Sequence, residues 1–197
     1  MNNDTALLLI DIQDSFRMNG RWERRGNPDF EANVSSLLEA WRGAGLPLFF
    51  ILHTDPDRGF RAGDAEFRTM DFLGRRADEP LLVKNTRNSF TSTNLKERLD
   101  AMGIKRLVMT GIQTEQCVET TTRLAADFGY EVDFVTDATQ TFPIENAETG
   151  QELSPAAIFE RTEYALRGRF ARIVRTCDLV AEVTAAEIEQ EALASTR

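Results

Sequence analysis

The chain has a single histidine, His53, and only two cysteines, Cys117 and Cys177. One imidazole excludes any centre that needs several of them. The cysteine spacing gives neither a CxxC pair nor a disulfide framework, which fits a reducing compartment. No apolar run approaches the roughly 20 residues that cross a bilayer. The N-terminal stretch MNNDTALLLID has no basic region before its apolar run, and the run closes on a carboxylate, so no signal peptide is expected. Cations are in the minority, with 23 Lys and Arg against 32 Asp and Glu and a net charge of −9. RWERR and GRR are too short and interrupted to follow a phosphate backbone. Nucleic acid and membrane are therefore not expected as partners, and a cytoplasmic protein is. A glycine-rich turn is missing after the first apolar run, where IDIQDS stands, and this excludes dinucleotide binding of the usual kind.

What is present describes an ordinary globular chain. Hydrophobic residues make up 42% and charged residues 28% of 197 positions, which suits one domain over 1–197 with a core of its own. Six short apolar runs predict strands: Thr5 to Asp11, Pro47 to Leu52, Leu81 to Lys84, Lys105 to Gly111, Tyr130 to Thr136 and Ala171 to Arg175. Between them lie segments of helical spacing. Val34, Leu37, Leu38 and Trp41 mark a helix over Phe30 to Ala44. Others are expected over Asn94 to Met102, Thr114 to Phe128, Ser154 to Gly168 and Ala185 to Ala194. Pro155 suits the first helical position after a serine cap. Alternating strands and helices predict an α/β fold with parallel strands joined by right-handed crossovers. Such sheets bind ligands at the carboxyl ends of their strands.

Three of those ends carry reactive groups. Asp11 closes the first run and Lys84 the third. Cys117 follows the fourth, at the expected first turn of a helix. There, unpaired N–H groups and the helix dipole favour a thiolate and an oxyanion. A lysine at a strand end inside a sheet needs an acid, and Asp11 would supply one. The alternative for Cys117 is a small buried residue behind a strand.

The remaining candidates are weaker. His53 pairs with Asp55 or Asp57 as a metal site only on thin grounds; hydrogen bonding to backbone is the plainer expectation. Cys177 reads as a packed residue near the last strand, and Asp14 as a loop or capping residue. Phe16, Trp22, Phe60 and Phe90 lie in loops and are candidates for pocket walls. Arg17, Arg58, Arg61 and Arg87 are candidates for gripping a carboxylate or for plain surface charge.

Three blocks carry a resemblance: LLLIDIQDSF around Asp11, VKNTRNSF around Lys84 and TGIQTEQCVETT around Cys117. Together they resemble the isochorismatase-like cysteine hydrolases, the superfamily of nicotinamidases and carbamoylsarcosine amidases. The likeness runs from Ala6 to about Arg175. It implies a three-layer α/β/α fold around a mostly parallel six-stranded sheet, assembled as a homodimer or homotetramer. It implies an Asp11–Lys84–Cys117 triad and a cis peptide between Ile112 and Gln113. The N–H groups of Gln113 and Cys117 would then form an oxyanion hole. No cofactor is implied. Nicotinamidases carry a D-x-H metal motif after the second strand; LHTDPD stands there instead, so no metal is expected. True isochorismatases lack the cysteine, so its presence favours acyl transfer.

The expected reaction is hydrolysis of a small-molecule amide through a thioester. The alternatives are hydrolysis of another bond, a thiol-sensing or binding member of the fold, and a phosphoryl-accepting receiver-like module.

Overall fold

The computed structural model describes residues 3–194. Its centre is a sheet of six parallel strands in the order β3-β2-β1-β4-β5-β8. In chain order these are β1 (Thr5–Ile10), β2 (Leu48–His53), β3 (Leu81–Lys84), β4 (Arg106–Ile112), β5 (Glu131–Gln140) and β8 (Arg172–Val174). A two-stranded hairpin, β6 (Ile144–Glu145) with β7 (Glu152–Leu153), interrupts the long segment after β5. The helices are α1 (Phe30–Gly43), α2 (Leu95–Ala101), α3 (Glu119–Asp127), α4 (Pro155–Leu166) and α5 (Thr176–Ala194).

Every residue of β1 is buried, as expected of a central strand covered on both faces. Alternate side chains divide between two cores. Leu7 and Leu9 meet Val34, Leu37 and Trp41 of α1 and Leu179 and Val183 of α5. Ala6, Leu8 and Ile10 meet Leu95 and Leu99 of α2, Val118, Ala125 of α3 and Leu166 of α4. The layers are therefore helix, sheet, helix, and the expected fold class holds, with the central sheet wholly parallel.

Three boundaries differ from the sequence reading, the first being that α3 begins at Glu119 and not at Thr114. The last helix starts at Thr176, not Ala185, because Leu179 and Val183 fall four apart on the face that packs on the α1 core. Its start is tied down by Asp137, whose Oδ1 accepts from the Thr176 N–H at 3.0 Å. Cys177 consequently lies exposed on that helix and is not packed behind the last strand. β5 runs on to Gln140, past a register shift opposite Met109 and Gly111. None of the described helices is long and apolar enough to cross a membrane.

The winding reverses between β1 and β4. From β1 the chain proceeds outward through β2 and β3, then returns to place β4 on the other side. A crevice at the carboxyl ends opens at such a reversal. Asp11 follows β1 and the Gln113–Cys117 turn follows β4, so this pair of strand ends brackets it.

Candidate active site

Asp11 leaves β1 with a positive φ of 53°, a conformation that few side-chain-bearing residues adopt. Its backbone N–H still donates to the Ile51 carbonyl at 2.8 Å. Beside it, Gly111 of β4 pairs with Ile10 and has φ 130°. A Cβ there would lie 1.9 Å from the Ile10 carbonyl oxygen. Only glycine lets the ends of β1 and β4 approach this closely, and the approach sets the cysteine turn next to Asp11.

The bond between Ile112 and Gln113 is cis. The next residues, Thr114–Val118, form a wide π-helical turn that leads into α3. The Gln113 carbonyl accepts from the N–H groups of Gln116 and Val118. Thr114 donates its hydroxyl to Thr139 at 2.8 Å, and the Thr121 hydroxyl donates to the Cys117 carbonyl at 2.6 Å. The turn is thus anchored on both sides, and Cys117 is 4% exposed.

Lys84 reaches across from β3. Its Nζ lies 2.7 Å from Asp11 Oδ2, with both side chains 0% exposed. Lys84 also donates to the Thr86 carbonyl at 3.2 Å. The ion-pair contact is close, yet neither Asp11 oxygen meets hydrogen-bond angles with a described residue. Burial pushes the Asp11 carboxyl up from its ordinary value, against the pull of Lys84, Cys117 and Arg87. Burial also pushes the Cys117 thiol up to about 12, helped by Asp11 and opposed by Lys84. The sequence reading expects the helix terminus to favour the thiolate; desolvation outweighs it. The site holds a neutral thiol beside a salt-bridged acid.

The model of the isochorismatase domain matches residues 5–156. The chain belongs to the isochorismatase family. It is 31% identical to the isochorismatase family protein YrdC of Bacillus subtilis, over 91% of this chain and 96% of the relative. Nicotinamidase 3 of Arabidopsis thaliana is 31% identical over 70% of this chain and 73% of its own length. An isochorismatase-family structure from Chromobacterium violaceum superposes with a TM-score of 0.87 at 30% identity, covering 93% and 95% of the two chains. The family is hydrolytic.

Around Asp11, Lys84 and Cys117 of this family member, the structure sorts the remaining candidates. His53 is not merely bonded to backbone. Its register partner on β3 is Lys84, and its Nδ1 lies 3.3 Å from Lys84 Nζ. Its Nε2 lies 2.8 Å from an Arg87 nitrogen and 3.4 Å from Asp55 Oδ2. Burial, then Lys84 and Arg87, push its pKa down to about 4. The guanidinium on Nε2 occupies the approach a metal ion would use, so His53 and Asp55 do not fit one. Asp57 is turned to Asp55 through its backbone N–H at 2.8 Å. Among the described residues, no group of three or more His, Cys, Asp or Glu side chains is arranged to hold a metal.

The aromatic candidates separate. Phe16 packs edge-on against Phe60 at 5.2 Å and stacks on Phe142 at 6.0 Å, and Trp22 joins Phe142 at 6.2 Å. Phe90 is elsewhere. It belongs to the α2–α3 core, 5.3 Å from Phe128 and stacked on Tyr130, because the loop after β3 turns back beneath that face.

Three residues escape the sequence reading. Gln13 reads the edge of β2 with both ends of its amide, donating to the His53 carbonyl at 3.1 Å and accepting from the His53 N–H at 2.8 Å. Phe142 joins the aromatic cluster of Phe16 and Trp22. Arg21 lies 4.5 Å from the Phe142 ring and donates to Gln113 Oε1 at 3.0 Å. Nothing in their local sequence marks them, since their partners lie far along the chain. Asp14, expected as a loop or cap residue, pairs with Arg68 at 2.6 Å. Arg17 is engaged by Glu31 at 2.5 Å and Arg61 donates to the Pro56 carbonyl at 2.6 Å, which leaves both occupied by the protein itself.

Proposed function

We propose that this protein hydrolyses a small-molecule amide, with Cys117 as nucleophile and a thioester intermediate. The observation that carries the reading is the buried Lys84–Asp11 pair at 2.7 Å beside the thiol. A salt-bridged carboxylate with no other task, next to a neutral thiol, is a base positioned for one proton. The name of the nicotinamidase relative supports the bond type.

In this reading Asp11 takes the Cys117 proton as the sulfur attacks the carbonyl carbon. The high thiol pKa means that proton transfer and attack are coupled, and no standing thiolate is needed. The oxygen gains the negative charge and is held by the N–H groups of Gln113 and Cys117. Donors of this kind are worth about 3–4 kcal/mol each in comparable sites. Asp11, now protonated, gives its proton to the leaving nitrogen as the C–N bond breaks. Water then attacks the thioester, Asp11 accepts a proton from it, and the acid leaves as the thiol re-forms. Lys84, 2.7 Å away, favours the ionised Asp11 carboxylate against the effect of its burial.

The test is an ammonia-release screen over primary amides, ureas and carbamoyl compounds, run beside Cys117→Ala and with a chelator. The expected result is release from at least one class that depends on Cys117 and is unaffected by chelation. Release that persists in Cys117→Ala would overturn the nucleophile; release abolished by chelator would overturn the metal-free mechanism.

A further inference from the structure

Between β1 and α1 the chain forms two short 3₁₀ helices over Asp14–Arg24, broken by a turn in which Asn19 and Gly20 take positive φ of 55° and 69°. The segment is tied down at both ends. The Asp14 N–H donates to the Arg68 carbonyl at 3.0 Å, and the Gly26 N–H donates to the Thr141 carbonyl at 2.9 Å. Among its described side chains, Arg21 alone hydrogen-bonds to the Gln113–Cys117 turn. The guanidinium is placed by two rings, 5.4 Å from that of Phe16 and 4.5 Å from that of Phe142. These rings are stacked on each other and belong to the core, at 5% and 2% exposure. A ring face attracts a cation, so Arg21 rests on a fixed platform. From there its Nη2 donates to Gln113 Oε1 at 3.0 Å.

The Gln113 side chain is held at its other end too. Its Nε2 donates to Glu115 Oε1 at 3.3 Å, and the second Glu115 oxygen accepts from the Thr141 hydroxyl at 2.7 Å. Gln113 is 6% exposed. An amide oxygen buried this far has little water to replace a lost donor. Of the two partners, Glu115 moves with the turn, whereas Arg21 comes from a separate segment anchored elsewhere. Arg21 is therefore the external reference that fixes where Gln113 lies. Donors fixed before the reaction stabilise charge in a transition state without reorganising, and a bond from a charged, planar guanidinium fixes its acceptor more firmly than a neutral one.

We infer that Arg21 is a positioning residue for acyl transfer: by holding the Gln113 side chain it keeps the Gln113 N–H aimed at the developing oxyanion. This rests on the Cys117 reading above and adds to it a residue outside the three blocks that carry the reacting groups. Arg21 does not touch the reacting atoms and acts through Gln113 alone.

The experiment uses the full chain carrying Cys177→Ser, which leaves Cys117 as the single thiol. Two reagents are compared at pH 8, each followed by intact mass. p-Nitrophenyl acetate acetylates the thiol: the S–C bond forms, the C–O bond breaks, nitrophenolate leaves with the electron pair and the thiol proton passes to Asp11. Negative charge builds on the carbonyl oxygen in that step. Iodoacetamide alkylates the same thiol by displacing iodide, and no oxyanion forms. The expected result is that Arg21→Gln slows acetylation on the order of 10- to 100-fold, the range for a charge-assisted bond, and leaves alkylation nearly unchanged. Arg21→Lys should retain part of the rate, since lysine keeps the charge without the planar fork. Arg21→Gln added to Gln113→Met should cost nothing beyond Gln113→Met alone, because the two act as one unit. On an amide returned by the ammonia screen, the loss should fall on kcat and leave KM in place. Acetylation and alkylation that shift together, as they would if Arg21 only held Asp14–Arg24 down, would overturn the inference. So would additive losses in the double variant, or acetylation unchanged in Arg21→Gln. A chain with Arg21 intact that is alkylated but never acetylated at Cys117 would overturn the acyl-transfer reading itself, and the inference with it.

Discussion

Lys84 Nζ and Asp11 Oδ2 meet at 2.7 Å with neither side chain exposed to solvent. Such a pair contributes little net stability, because desolvating both ions offsets their attraction, but removing one partner strands the other. Lys84→Met is expected to cost about 3–5 kcal/mol in urea unfolding at neutral pH. Asp11→Asn combined with Lys84→Met leaves no charge to strand and should recover much of that loss, while turnover stays abolished. A double variant as unstable as the single one would show that the lysine stem, not the charge, supports the fold.

The second prediction concerns the thiols. Cys117 is 4% exposed with its pKa pushed up to about 12, whereas Cys177 is exposed on α5. Iodoacetamide at pH 7.5 should therefore modify Cys177 first, as read by peptide mass mapping. The Cys117 rate should keep climbing with pH without levelling between 8 and 9. In Lys84→Met it should fall further, because Lys84, which favours the thiolate, is gone. Faster labelling of Cys117 than Cys177 at neutral pH would mean that the thiolate is present before substrate arrives.

The strand-end groups are legible in the sequence because each follows a short apolar run, buried on both faces in β1 and β4 and on one face in the edge strand β3. LLLI delivers Asp11, LLV delivers Lys84 and LVMTGI delivers the cysteine turn. The surroundings are not legible, because they depend on pairings between distant segments. The His53–Lys84 contact follows from β2–β3 register, and the Gln13 clamp on His53 spans 40 residues. The sign of the thiol shift is hidden for the same reason: the helix terminus is local, while the desolvation comes from the whole assembled site. Phe90 packs on the α2–α3 face and not with Phe16, Trp22 and Phe60, a division that a loop aromatic carries no local mark of.

His53 gives a pH dependence. Its folded pKa is depressed to about 4, with burial as the first cause, against about 6.5 in an unfolded chain. In the window between these values the unfolded state binds the proton and the folded state does not. The stability held above pH 6.5 is therefore lost progressively as pH falls toward 4. Urea midpoints taken every half unit should show this decline, and His53→Asn should flatten the part of it above pH 5, where few carboxylates titrate. A variant curve parallel to wild type throughout would place the imidazolium in a tolerated setting and show that Lys84 and Arg87 do not exclude it.

Gly111 tests how the site is built as distinct from how it reacts. Its φ of 130° and the 1.9 Å that would separate an added methyl from the Ile10 carbonyl oxygen make the clash one with backbone, which no rotamer change relieves. Gly111→Ala must either separate the ends of β1 and β4 or rebuild the Gln113–Cys117 turn. Positive-φ strain combined with an overpacked strand pair places the cost above about 3 kcal/mol, so low soluble yield and a large drop in Tm are expected. Gly45, also at positive φ but with nothing within 4 Å of an added Cβ, is the control: Gly45→Ala carries only the conformational penalty, about 1 kcal/mol. Equal destabilisation by the two would mean that φ alone matters at Gly111. A much larger effect there would tie the spacing of β1 and β4, and with it the placement of Asp11 against Cys117, to one missing side chain.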